Sequence, residues 1–189
     1  MPSLVWCPPG WCCGNLYLVS DPQGWTCPYS GVKPHTLLTE SDWLSWSKPG
    51  AMVRLLEGQP RKLDLLSKAA RRAGLESLLD REAQGGSPEQ RKYLCDLLRD
   101  LNGNPFRSAP HINPSVRTWN SGCVVKLATA AYEERVMPQG TLDPVRLAVL
   151  ADGMEQAGVT DQEILGHLRQ PGLVHVRGCH VLDAILDKV

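Results

Sequence analysis

The sequence predicts a mainly α-helical protein: a compact multi-helix domain that follows a small irregular or β-structured segment rich in Cys and Trp. From residue 39 onward, apolar residues recur at the helical period of about 3.6 residues, and helix-start and helix-stop residues punctuate the pattern. Residues 1–36 instead hold four of the seven Cys and three of the six Trp, between turn-forming Pro and Gly residues. We therefore predict two parts, an N-terminal segment over 1–36 and an all-α domain over 37–189.

The N-terminal segment reads as a hairpin-like element. Turn formers at 8–10 and 21–24 flank the short apolar run 15–19, which is typical of a strand. Its three tryptophans are too apolar to leave in water, so we expect them to pack on the helical body. They are Trp6, Trp11 and Trp25.

Helix-start signals divide the first half of the helical part. Thr39 to Asp42 has the spacing of a capping box, with Asp where Glu is commoner, and predicts a short helix through Trp46. Residues 61–73 form an amphipathic pattern that Gly74 ends. Ser87 to Gln90 predicts another capping box, and the helix it opens ends at 102–105, where Asn-Gly-Asn-Pro cannot continue it.

The second half predicts further helices. A long one runs to Val136 from either Ser115 or Asn120, and others begin at Asp143-Pro144 and at the capping-box pattern of 160–163. The last begins near Gly178, and we expect Asp183 on its solvent face. Its predicted inner stripe comprises Val181, Leu182, Ile185, Leu186 and Val189.

Charge and hydropathy exclude several classes of protein. The formal net charge is zero, which argues against nucleic acid as a partner, and no stretch approaches the roughly 18 apolar residues of a membrane span. The N-terminus lacks the charged and apolar regions of a signal peptide. An odd number of Cys is also unlike a secreted disulfide framework. We therefore expect a cytoplasmic protein without a membrane partner.

Three strings carry a family resemblance. They are Leu98-Arg99-Asp100-Leu101-x-Gly103-Asn104-Pro105-Phe106-Arg107, the run 147–158, and His175-Val176-Arg177-Gly178-Cys179. Together they resemble the large paralogous families of uncharacterised proteins in planctomycete bacteria, over about residues 39–189. The resemblance implies no activity. Family members often carry a Cys-Cys-Arg-Arg-like segment in the first long helix, where this chain reads Lys68-Ala69-Ala70-Arg71-Arg72, so no thiol or metal role is carried over to that helix.

Five residues form a candidate zinc site, because Zn²⁺ prefers four thiolate or imidazole ligands. The candidates are Cys7, Cys12, Cys13, Cys27 and His35. Their spacing differs from paired Cys-x₂₋₄-Cys knuckles, and adjacent cysteines seldom ligate one ion. Buried thiols under a Trp-rich cap, or a disulfide, are the alternatives.

His175, Cys179 and His180 form a second cluster. An imidazole beside a thiol can activate it as a nucleophile. No orienting Asn or Asp is identifiable, so the alternative is a helix start packed on the body, with the histidines bonded to the backbone.

These observations predict a non-catalytic interaction or adaptor module that binds another protein or its own copy and needs no cofactor. The first alternative is a zinc-binding module using the N-terminal Cys cluster, with contact to nucleic acid through the basic helix of 54–72. The second is a cysteine-dependent enzyme.

Overall fold

The computed structural model describes residues 3–7, 16–31, 33, 36–56, 58–79 and 85–188. Contacts divide the chain into two units, Met1–Ser108 and Ala109–Val189, referred to below as the first and the second unit. Helices dominate and the sheets are small, which confirms the predicted fold class. The strands of the N-terminal segment belong to the first unit, together with the helices that follow them.

A three-stranded antiparallel sheet begins the first unit. Its strands are β1 (Ser3–Trp6), β2 (Leu16–Val19) and β3 (Thr36–Leu38), in the order β2-β1-β3. Successive side chains of a strand point to opposite faces, yet Leu4 and Val5 of β1 are both fully buried, so both faces of the central strand are covered.

The predicted packing of the tryptophans on the helices is confirmed for Trp6. Its ring meets that of Trp46 edge-on, with centroids 5.0 Å apart. Trp25 contacts Tyr17, and Trp11 lies outside the described residues.

Two helices of the first unit begin where the sequence places their caps. The helices of this unit are α1 (Glu40–Ser45), α2 (Pro49–Met52) with a 3-10 turn (Val53–Leu56), α3 (Pro60–Arg72), a 3-10 turn (Glu76–Leu79) and α4 (Pro88–Asn102). The capping boxes of Thr39 with Asp42 and of Ser87 with Gln90 are both present, as predicted. Gly103, with φ 74°, ends α4 in a conformation that suits glycine.

The second unit packs four helices and a two-stranded hairpin around one core. The elements are α5 (Pro114–Glu133), β4 (Arg135–Val136), β5 (Thr141–Leu142), α6 (Pro144–Gln156), α7 (Gln162–Arg169) and α8 (His180–Leu186). Helix α5 is interrupted at residues 119–122, where Asn120, Ser121 and Gly122 all have positive φ. The sequence predicted that this helix begins at either Ser115 or Asn120. Each of these residues lies close to the start of one of the two helical segments that the turn separates.

The predicted capping box at 160–163 is wrong by one residue. Asp161, not Thr160, caps α7, and its Oδ1 accepts hydrogen bonds from the amides of Glu163 (2.9 Å) and Ile164 (3.3 Å). A short carboxylate at this position reaches both orphan amides of the first turn, so the cap needs no partner from residue 163.

The inner stripe of α8 is confirmed for Val181, Leu182 and Ile185, which are buried, whereas Leu186 is half-buried. The expectation that Asp183 faces solvent is wrong, because it is only 5% exposed. A helix of two turns set into a core is covered on more than one face, so its helical period does not separate inside from outside. Val189 lies outside the described residues.

Leu182→Ala is expected to lower the free energy of unfolding by about 2–5 kcal/mol, because it leaves a cavity beside fully buried neighbours. Val145→Ala is the control: Val145 is 69% exposed on α6 in the same unit, and the change should cost less than about 0.5 kcal/mol. Urea melts of both variants measure the difference. Equal midpoints would contradict the core position of α8.

Candidate metal centre

The last turn of α7 presents His167. Ile164, Leu165 and Leu168 are buried, which seats this helix on the core of the second unit and leaves His167 half-buried beside them. The helix ends at Arg169 with Gln170 as its C-cap, because Pro171 and Gly172, the latter with φ 78°, turn the chain back.

The segment after this turn carries His175, which is 3% exposed. Its backbone is bonded to the hairpin: the amide of Leu142 donates to the carbonyl of His175 (2.8 Å), and Thr141 forms a β-bridge with Val176. Arg177 holds the same segment to α5, with Nε donating to the carbonyl of Tyr132 at 2.9 Å. The position of His175 is therefore set by contacts distant in sequence.

Cys179 is the N-cap residue of α8 and is fully buried. Gly178, with φ 94°, and a hydrogen bond from the amide of Cys179 to the carbonyl of Val176 (3.1 Å) make the tight turn before it. The side chain of Cys179 makes no capping hydrogen bond to the helix, so capping does not engage its sulfur. His180 follows as the first residue of α8.

These elements bring three ligand side chains together, and His167, His175 and Cys179 are called the His/Cys cluster below. Nε2 of His167 lies 3.4 Å from Sγ of Cys179. One ligand atom from each of the three residues lies within 4.8 Å of the others. The ring of His167 also meets those of His175 and His180 edge-on, at centroid distances of 4.7 and 4.5 Å.

The spacing suits a transition metal. Zn²⁺ binds imidazole nitrogen at about 2.0–2.1 Å and thiolate sulfur at about 2.3 Å, so two such ligands of a tetrahedral ion stand about 3.5 Å apart. The His167–Cys179 distance of 3.4 Å already matches this separation. Imidazole and thiolate together select zinc and related soft or borderline ions over Mg²⁺ and Ca²⁺, which take oxygen ligands.

The sequence prediction for the N-terminal metal site stays a prediction. Cys7 and Cys27 are buried, and Cys12, Cys13 and His35 lie outside the described residues. The five cysteines that the structure describes form no disulfide with one another: Cys7, Cys27, Cys95, Cys123 and Cys179.

The sequence singles out His175, Cys179 and His180 but not His167. It expected His175 or His180 as the partner of the thiol, whereas an imidazole at hydrogen-bond distance is that of His167. A signal was present, since three of the five histidines of the chain fall between 167 and 180. That signal does not show that α7 and α8 meet, which depends on how the intervening turn folds.

The basic helix, which was the predicted route to nucleic acid, has several of its cations in ion pairs. Lys68 pairs with Asp64 at 2.7 Å, and Arg71 with Glu76 at 2.8 Å. Every helix in the described ranges is too short or too polar to cross a membrane.

Comparison with protein-family models, with curated proteins and with solved structures finds no match to the chain. The resemblance to planctomycete proteins therefore stays a prediction.

The three thiols at Cys95, Cys123 and Cys179 are expected to differ in alkylation. Cys95 is fully buried, and burial raises its pKa to about 12, so almost none is thiolate at pH 8. Cys123 is half-buried and should react first, while Cys179 is enclosed like Cys95. Peptide mass mapping after a timed pulse of iodoacetamide gives the order, with urea-unfolded protein as the control. Labelling of Cys95 before Cys123 would contradict it.

Proposed function

We propose that this protein binds a transition-metal ion, with zinc as the first choice, through His167, His175 and Cys179 of the second unit. The observation that carries the proposal is the 3.4 Å separation of His167 Nε2 and Cys179 Sγ, with a ligand atom of His175 within 4.8 Å of both. Three side chains satisfy three of the four positions of a tetrahedral ion. The remaining position is open to water or to a further side chain.

The burial of the His/Cys cluster favours metal binding over reaction of the sulfur with a substrate. Cys179 is fully buried and His175 nearly so, and a thiolate at such depth is costly unless a positive charge compensates it. A divalent ion supplies that charge and lowers the pKa of a coordinated thiol. Burial also limits access of a substrate to the sulfur.

A cysteine-dependent enzyme is the second candidate, and the same His167–Cys179 contact favours it. In this case the imidazole would act as the base that activates the thiol. The two candidates differ in what they need, because a metal site retains an ion through purification whereas a thiol nucleophile needs none.

We also propose that the protein works in the cytoplasm and associates with another protein or with its own copy. The described cysteines form no disulfide with one another, which fits a reducing compartment, and Val145 and Val149 lie one turn apart and exposed on α6. Sedimentation of the full chain over a range of concentrations measures self-association. A constant monomer mass would leave another protein as the partner.

The metal prediction is tested by elemental analysis of full-length protein expressed in medium supplemented with zinc. We expect about one zinc per chain, as for a mononuclear site. Cys179→Ser and His167→Gln should each weaken binding by on the order of 100-fold or more, beyond the roughly 10–100-fold typical of outer partners of metal ligands.

The chain offers matched controls for both substitutions. Cys123→Ser and His111→Gln change the same residue types in the same unit at positions outside the His/Cys cluster, and should keep full zinc content. Cobalt substitution adds a second readout, because a thiolate ligand gives Co²⁺ a charge-transfer band that Cys179→Ser should abolish. Protein without metal, or with metal that survives both ligand substitutions, would overturn the proposal. Rapid alkylation of Cys179 in metal-free protein would then favour the thiol enzyme.

A further inference from the structure

We infer that the bound metal acts as a lock on the C-terminal segment, so that the order of residues 170–186 depends on metal. The inference rests on the proposed metal site and adds a structural role to it. It follows from where the three ligands lie along the chain and from what else holds the segment.

The ligands come from three successive pieces of backbone. His167 is at the end of α7, His175 is in the connecting segment, and Cys179 is at the start of α8. An ion held by all three ties together the two ends and the middle of a stretch of 13 residues. Opening this stretch would separate the ligands and release the ion, so the free energy of metal binding opposes the opening.

The connecting segment is held to the rest of the second unit near its C-terminal end. Its backbone is anchored at His175 and Val176 to the hairpin, and the side chain of Arg177 anchors it to α5. Between α7 and these anchors stand Gln170 to Val174, which contain the Pro171-Gly172 turn and are exposed or half-buried. This stretch contributes little burial of its own, so its order depends on the fixed points at either side.

Helix α8 also needs outside support. It has seven residues, fewer than the roughly 12–15 at which an isolated helix becomes even marginally stable in water. Its support comes from buried Val181, Leu182 and Ile185 and from Arg117, whose Nη2 donates to the carbonyl of Ala184 at 2.7 Å. Val181 and Leu182 lie in its first turn, Ala184 and Ile185 lie towards its middle and end, and Cys179 is its N-cap residue. A metal on Cys179 would add a fixed point at the N-cap of α8, next to the packing of its first turn.

Amide hydrogen exchange of full-length protein, with and without Zn²⁺, tests the lock. Any opening that separates the ligands must first release the ion, so its population falls by a factor of 1 + [Zn²⁺]/Kd. At a free zinc concentration 100 times Kd, exchange of amides in 170–186 through such openings should slow by about 100-fold. Cys123→Ser should respond as the unaltered chain does, and Cys179→Ser should show no response to zinc.

The outcomes separate the lock from the metal site itself. Zinc that binds stoichiometrically without slowing exchange in 170–186 would overturn the lock and leave the metal site standing. Absence of zinc binding would overturn both. Slowing of the same size in Cys179→Ser would also overturn the lock, because the effect would then not pass through the cluster.

Discussion

A thiol and an imidazole buried in the apolar core of the second unit are the constraint on which the architecture around them depends. Polar groups at this depth must be compensated, since desolvation without a partner costs several kcal/mol (about 2–7). The fold meets this demand by bringing Cys179 and His175 to His167, and each of the three is delivered by a different element. The contact thereby fixes the relative positions of α7, the turn after it and the start of α8.

The hairpin of β4 and β5 is the support for that arrangement. Two residues on each strand would make little structure alone, but β5 receives the segment of His175 through the Leu142 amide and the Thr141–Val176 bridge. Arg177 adds a bond to the carbonyl of Tyr132 and an ion pair with Glu133 at the end of α5. The small β4–β5 sheet therefore positions a segment that has no regular secondary structure of its own.

A metal at the cluster would unite features that otherwise stand apart. It accounts for a buried sulfur that makes no capping bond at a helix start, for imidazole rings in contact, and for a short terminal helix at the end of a turn-rich segment. An interaction role is compatible with such a site, because a metal that orders a terminal helix also shapes the surface this helix presents.

The first unit is built differently: its tryptophans pack a small sheet on helices, and Arg99 joins α4 to α1 through the carbonyls of Trp43 and Trp46.

The sequence by itself determined the fold class, most helix limits and the burial of Val181, Leu182 and Ile185 in α8, because caps, glycine stops and apolar periodicity act over a few neighbouring residues. It also singled out His175, Cys179 and His180, since they are close together along the chain. It misplaced Asp183, because a short embedded helix is buried on several faces, and it set the cap of α7 at Thr160 because the side-chain pattern fits two adjacent positions. Only the tertiary structure placed His167 against Cys179: they are twelve positions apart, and their meeting is decided by the Pro171-Gly172 turn and the pairing of His175 and Val176 with a distant hairpin.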